Sequence, residues 1–164
     1  SKPKPEKVVK VKRVKKKTER KLLEQKLDKL VREIVLDRDV RCVCPPPSRG
    51  HGNVLQAGHL ITRSKEAVRW GLDNVHAQCN SCNILHEYMP HIYTNWYVIN
   101  FGAEKFNSLC ESAERVQKLQ LYELRELLEQ MKRIRQKQNQ ATLMGEVFKP
   151  YFSQQEILSG AWDK

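Results

Sequence analysis

The 164-residue chain has no apolar run long enough to cross a bilayer, which takes about 18 residues with almost no charge. Its longest stretch free of Asp, Glu, Lys and Arg, residues 88–103, is broken by Pro90, His91, Thr94, Asn95 and Asn100, which argues against a membrane span. The opening residues, SKPKPEKVVKVKRVKKK, lack the apolar segment and small-residue cleavage site of a secretory leader, and this predicts a soluble, cytoplasmic chain. An even cysteine count is also missing. Five thiols do not make a disulfide framework, because one is left over and a reducing compartment holds the others open. Internal repeats are absent, and at 40% hydrophobic residues the length suits one modest core with appendages rather than two domains.

Acidic residues are in short supply. Thirty Lys and Arg stand against nineteen Asp and Glu, for a net charge of +11, which favours a polyanionic partner. Residues 1–17 hold eight lysines and Arg13 against Glu6, so this tail carries +8 of the total. Such a block is either a solvated arm or a nucleic-acid contact, and the surplus favours DNA, with Lys15, Lys16 and Lys17 as contacts.

After the tail, Thr18 can cap a helix running to about Arg38, with Leu22, Leu23, Leu27, Leu30, Val31, Ile34 and Val35 on one face. Three prolines and two glycines in VRCVCPPPSRGHGN then predict a loop or metal knuckle. Short strands are predicted over 53–60 and 73–78, joined by 61–72, with a helix beginning in NSCNILHEY and capped by Asn80 or Ser81. The order is strand, loop, strand, helix. AEKFNSLCESAERV reads as a further short helix, and 118–138 as a long one whose Leu121, Leu124, Leu128, Met131 and Ile134 form either a core contact or a dimer seam. The final segment, with Phe148, Tyr151, Phe152 and Trp162, is expected to dock irregularly.

Two features carry chemistry. Cys42 with Cys44 and Cys79 with Cys82 are close pairs separated by a long loop, the arrangement that staples two segments around a tetrahedral zinc ion. C-x-C is one residue tighter than the common knuckle, so His51 can stand in for one member of that pair. The second feature is Gly58-His59, Asn74 and Asn83. Phosphodiester hydrolysis needs a base near neutral pKa, a Lewis acid and a means of holding the base, and the predicted strand ends and helix start bring these three residues toward one pocket.

AGHLITRS, RWGLDNVHAQCNSCN and the preceding KLVREIVLDRDVRCVC resemble HNH, or His-Me finger, endonucleases, and are most similar to the phage NinG (Rap) recombination nuclease family over residues 25–135. The resemblance implies an α+β fold: a zinc-stapled ββα-metal core with flanking α-helices. It implies that His59 is the general base, that Asn74 holds the strand and loop that orient it, and that Asn83 is a ligand of the catalytic metal. Cys42, Cys44, Cys79 and Cys82 would hold a structural zinc remote from the chemistry, since four thiolates leave no open position. The catalytic ion would be Mg²⁺ or Mn²⁺, hard cations suited to phosphate oxygens. The implied products are 5′-phosphate and 3′-hydroxyl ends on branched or single-strand-containing recombination intermediates.

Two departures follow. C-x-C replaces the family's usual C-x-x-C. Gly58 stands where many relatives place an acidic or imidazole metal ligand, so His76, on the strand face of Asn74, and His86, one turn beyond Asn83, are substitute ligands. Arg63, Lys65 and Arg69 in the connector are expected to contact phosphate, with Trp70 beside them. Arg69 and Trp70 also read as a solvated cation and a buried core residue. Tyr93, Trp96 and Tyr97 read as core aromatics before base-stacking ones. The chain divides into a basic tail (1–17), a nuclease domain (18–117), a long amphipathic helix (118–140) and an irregular C-terminal segment (141–164), with a homodimer among its expected partners. Its rivals are a non-catalytic, nucleic-acid-binding zinc module and an assembly factor built on the long helix.

Overall fold

The computed structural model describes residues 18–45, 50–116 and 118–164. The basic tail, including Lys15, Lys16 and Lys17, lies outside the described residues. Helix α1 (Glu19–Asp39) starts where the sequence indicates, with the Thr18 side chain accepting from the Lys21 amide. Its buried stripe is Leu23, Leu27, Val31, Ile34 and Val35. Leu22, expected on that face, is 44% exposed, because one residue of helix turns a side chain by about 100° off the stripe.

The strands β1 (Leu55–His59) and β2 (Val75–Cys79) form a two-stranded antiparallel sheet in which Gln56 faces Gln78, Gly58 faces His76 and His59 faces Val75. Both strands are shorter at their N-terminal ends than the sequence predicts. Val75 and Ala77 pack with α1, while His76 and Gln78 point the other way. Helix α2 (Asn80–Tyr88) follows β2 without a loop, and its N-cap is Cys79, whose sulfur accepts from the Cys82 amide, instead of Asn80 or Ser81. The aromatic stretch forms α3 (Pro90–Phe101), opened by Pro90, and α4 (Ala103–Glu114) follows. Tyr93, Tyr97, Leu109 and Ala113 build a second apolar cluster beside the sheet, so two of the three aromatics considered for stacking are buried.

Helix α5 (Leu121–Leu143) begins with a capping box between Gln120 and Glu123 and lays Leu124, Leu127, Leu128, Met131 and Ile134 into the core containing the α1 stripe. The long-helix stripe is therefore a contact within the chain. The C-terminal segment is more regular than expected: Ser153 and Glu156 cap helix α6 (Gln154–Ser159), and Ile157 and Trp162 join the main core. Among the described residues, no helix is long and apolar enough to cross a membrane.

Arg38, at the end of α1, holds these parts together. It is 4% exposed, pairs with Asp39, and donates to the carbonyls of Leu72, Val75 and Pro150. Asp39 in turn accepts from the Ala77 amide of β2. Such a network is stable only when every charge is answered by hydrogen bonds, as it is here.

Asp73, just before β2, is different: its Oδ1 is buried without a partner, and burial pushes its carboxyl up to about 6. The folded state holds this proton more tightly than the unfolded chain does, so stability falls as pH rises from about 4 through 6. Asp73→Asn should therefore gain on the order of 1–3 kcal/mol at pH 7.5 and little at pH 4. Urea unfolding of both proteins at the two pH values checks this, and an equal gain at both would refute it.

Candidate functional site

There are two candidate sites, each assembled from elements distant in sequence. The first is a cluster of Cys42, His51, Cys79 and Cys82, whose ligand atoms lie within 4.8 Å of one another. The β2–α2 junction supplies Cys79 and Cys82. The Val43 amide, bonded to the Ala77 carbonyl, brings in Cys42. Gly52 lets the His51 loop lie against α2, since a Cβ there would sit 1.8 Å from Asn80 Oδ1.

The Nδ1 of His51 is 3.6 Å from Cys79 Sγ and 3.7 Å from Cys82 Sγ. A tetrahedral zinc with Zn–S of about 2.3 Å and Zn–N of about 2.0–2.1 Å spaces sulfur and nitrogen about 3.6 Å apart. The residues thus fit a zinc-like ion as a Cys₃His set. Cys44, expected as the fourth ligand, stands outside the cluster. Its sulfur accepts from Gln78 Nε2 at 3.0 Å. The neighbouring Cys44 thiol holds the Cys42 thiol below its ordinary range, and the same contact, with burial, pushes the Cys44 thiol up. His51 stands with Cys42, Cys79 and Cys82 where the sequence predicts Cys44.

The second site is a groove bordered by α1, β1 and α2. A hollow of about 300 Å³ is lined by Asp28 and Arg32 of α1, Gln56 and His59 of β1, Arg63, and Asn83 of α2. It adjoins a hollow of about 490 Å³ that shares His59, Arg63 and Asn83 and adds Thr62, His86 and Glu87. The structure thus brings His59 and Asn83 to one groove. His59 Nε2 lies 2.9 Å from the Arg69 carbonyl. A carbonyl only accepts, so Nε2 carries the proton and the lone pair sits on Nδ1. Burial, reinforced by Arg63 and Arg69, holds this imidazole below its ordinary pKa, so it is neutral at pH 7.

Asn74 is fully buried. Its Oδ1 accepts from the Ile61 amide at 2.8 Å, and its Nδ2 donates to the carbonyls of Ile61 and Val68, each at 3.0 Å. It therefore ties the residues after His59 to the connector that carries Arg69. Asn83 Nδ2 donates to Gln56 Oε1 at 2.9 Å, and among the described residues its Oδ1 accepts nothing.

Other expected residues lie elsewhere. His76 faces away from the groove because it pairs with Gly58 while His59 pairs with Val75, and neighbours along a strand point to opposite faces. It sits among Tyr93, Trp96, Tyr97, Phe101 and Tyr151, with Nδ1 on the Tyr93 hydroxyl, and burial drives its pKa well down. As a ligand of the catalytic ion it is ruled out by position. His86 borders the groove, but its Nε2 is bonded to the Leu60 carbonyl and its Nδ1 is buried, so neither nitrogen faces an ion. Gly58 is glycine for a steric reason: a Cβ there would lie 1.8 Å from Gln78 Oε1. A ligand at position 58 would point at Gln78 instead of the groove.

Arg69, expected to contact phosphate, is paired with Asp28 at 2.7 Å, lies over the Trp70 ring and is only 15% exposed in its side chain. Trp70 is buried and donates to Asp28. Arg63 is 63% exposed, and its contact with Asp28 is a surface pair weak enough to exchange for a phosphate. Lys65 is also solvent-facing, beside Glu114. Asp28, Arg32, Gln56 and Glu87 were not singled out in the sequence. Asp28 and Arg32 are one turn apart on α1, as are Asn83 and Glu87 on α2, but only the packing of both helices beside β1 gives that spacing meaning.

A family model described as Bacteriophage Lambda NinG protein matches residues 1–141. No curated protein and no solved structure matches the chain.

The metal cluster makes a direct prediction for zinc content measured by mass spectrometry on purified protein. Cys42→Ala, Cys79→Ala and Cys82→Ala should each lose most of one equivalent, and His51→Ala should weaken retention against a chelator by roughly tenfold or more. Cys44→Ser should keep its zinc. Loss of zinc from Cys44→Ser with retention by His51→Ala would reverse the assignment.

Proposed function

The chain belongs to the bacteriophage lambda NinG protein family, and we propose on that premise that it is a metal-dependent DNA endonuclease of the HNH type acting on branched recombination intermediates in phage DNA metabolism. The observation that carries this reading is the neutral His59 imidazole, with its tautomer fixed by the Arg69 carbonyl, in one groove with the unengaged amide oxygen of Asn83.

In this reading a water enters the groove and His59 Nδ1 takes its proton as the oxygen attacks phosphorus; the P–O3′ bond breaks and the departing 3′-oxygen takes a proton from solvent. The Arg69 carbonyl stabilises the imidazolium that results, and Asn74 keeps that carbonyl in place through its bonds to Ile61 and Val68. Arg63 and Arg32, which flank the hollow, hold the phosphate from either side. Oxygen donors suit a hard cation, and the groove offers the Asn83 Oδ1 and the Glu87 carboxylate on one face of α2. When bound, Mg²⁺ or Mn²⁺ supplies Lewis-acid stabilisation of charge on the phosphate. Asp28 is no ligand here, because Arg63, Arg69 and Trp70 already engage both its oxygens. The Cys₃His cluster shares no residue with the groove and braces α2 through Cys79 and Cys82.

The test uses purified full-length protein with linear duplex, forked and four-way DNA, each with Mg²⁺, Mn²⁺ or chelator. Metal-dependent cutting is expected, strongest on branched DNA. His59→Ala should lose about 10²–10⁴-fold in rate with DNA binding and thermal stability unchanged. The acid limb of the rate profile should lie below the ordinary histidine value of about 6.5, because the base must be neutral and its pKa is lowered. Salt-dependent binding with no cutting under any metal would instead support a non-catalytic binding module.

A further inference from the structure

Asn83 is useful to a cation only if its carboxamide is turned the right way, since one end accepts and the other donates. The end that donates is already tied down: Nδ2 is 2.9 Å from Gln56 Oε1. Gln56 lies on β1 three residues before His59 and faces Gln78 across the sheet. Gln78 is held in turn, with its amide on Cys44 and its carbonyl over Gly58. Asn83 follows Cys82 in the first turn of α2, so the Cys/His cluster sets its backbone while β1 sets its partner.

We propose that Gln56 is a positioning residue, whose Oε1 holds the Nδ2 of Asn83 and so presents the Asn83 Oδ1 to a divalent cation in the His59 groove. This rests on the nuclease reading above. It also explains how the groove works without a side chain at position 58. The amide–amide bond that crosses from strand to helix sets the orientation of Asn83.

The experiment measures Mn²⁺ affinity of the full, zinc-loaded chain without DNA, by electron paramagnetic resonance of the free ion, alongside cleavage rates. Gln56→Met keeps bulk and removes the acceptor, and should weaken Mn²⁺ binding about tenfold with zinc content and melting temperature unchanged. Asn83→Ala should weaken it at least as much, and the double variant should be no weaker than Asn83→Ala alone. Gln56→Glu keeps an oxygen acceptor and should retain affinity, which gives a readout should the methionine variant fail to fold. Fully additive losses in the double variant would overturn the proposal. So would tighter binding by Gln56→Glu when Asn83 is alanine, which would make position 56 a direct ligand. Wild-type protein that neither binds Mn²⁺ nor cuts DNA would sink both readings. Cutting abolished by Asn83→Ala but untouched by Gln56→Met would sink this one alone.

Discussion

Two short strands cannot hold themselves together in water, and most of this molecule serves to clamp one such pair. At one end of β2 the Arg38 guanidinium reaches the carbonyls of Leu72, Val75 and Pro150, while Asp39 takes the Ala77 amide. At the other end Cys79 and Cys82 converge with Cys42 and His51. Between the clamps, Val75 and Ala77 bury one face of the sheet against α1, and α5 backs α1 with a continuous leucine-rich stripe. The ion-pair network and the thiol cluster both depend on the helices that bring their parts together, so the sheet is stable only as part of the whole.

The clamped register creates the groove. Because His59 opposes Val75 and Gly58 opposes His76, one histidine comes out beside α1 and the other enters an aromatic box. Gln56, which opposes Gln78, meets Asn83 of α2. Asp28 then gathers Arg63, Arg69 and Trp70 against α1, fixing the connector whose Arg69 carbonyl meets His59. A one-residue slip of β1 would turn His59 to the other face and dismantle the groove.

Much of this could be read from residue order. Thr18 and the apolar stripe define α1, the two strands and the helix after them lie within two residues of their expected places, and the His59–Asn83 pairing follows from strand, loop, strand, helix. The structure adds what residue order does not show where several side chains meet in one space. Cys44 fits a ligand spacing but lies outside the cluster that His51 joins, and Arg69 is paired with Asp28. His76, expected on the strand face of Asn74, packs toward Tyr93 and Tyr97, while Asn74 lies just before β2 and bonds Ile61 and Val68. Spacing along the chain tells which side chains can be neighbours, and packing decides which are.

From its residues alone the chain declares its charge, its helices, its paired thiols and the histidine and asparagines that mark its family, because each depends on local chemistry or on order. Which nitrogen of His59 carries the proton, which four donors lie close enough to hold one metal ion, and what a side chain at position 58 would meet depend on atoms brought from other segments, and folding alone supplies them.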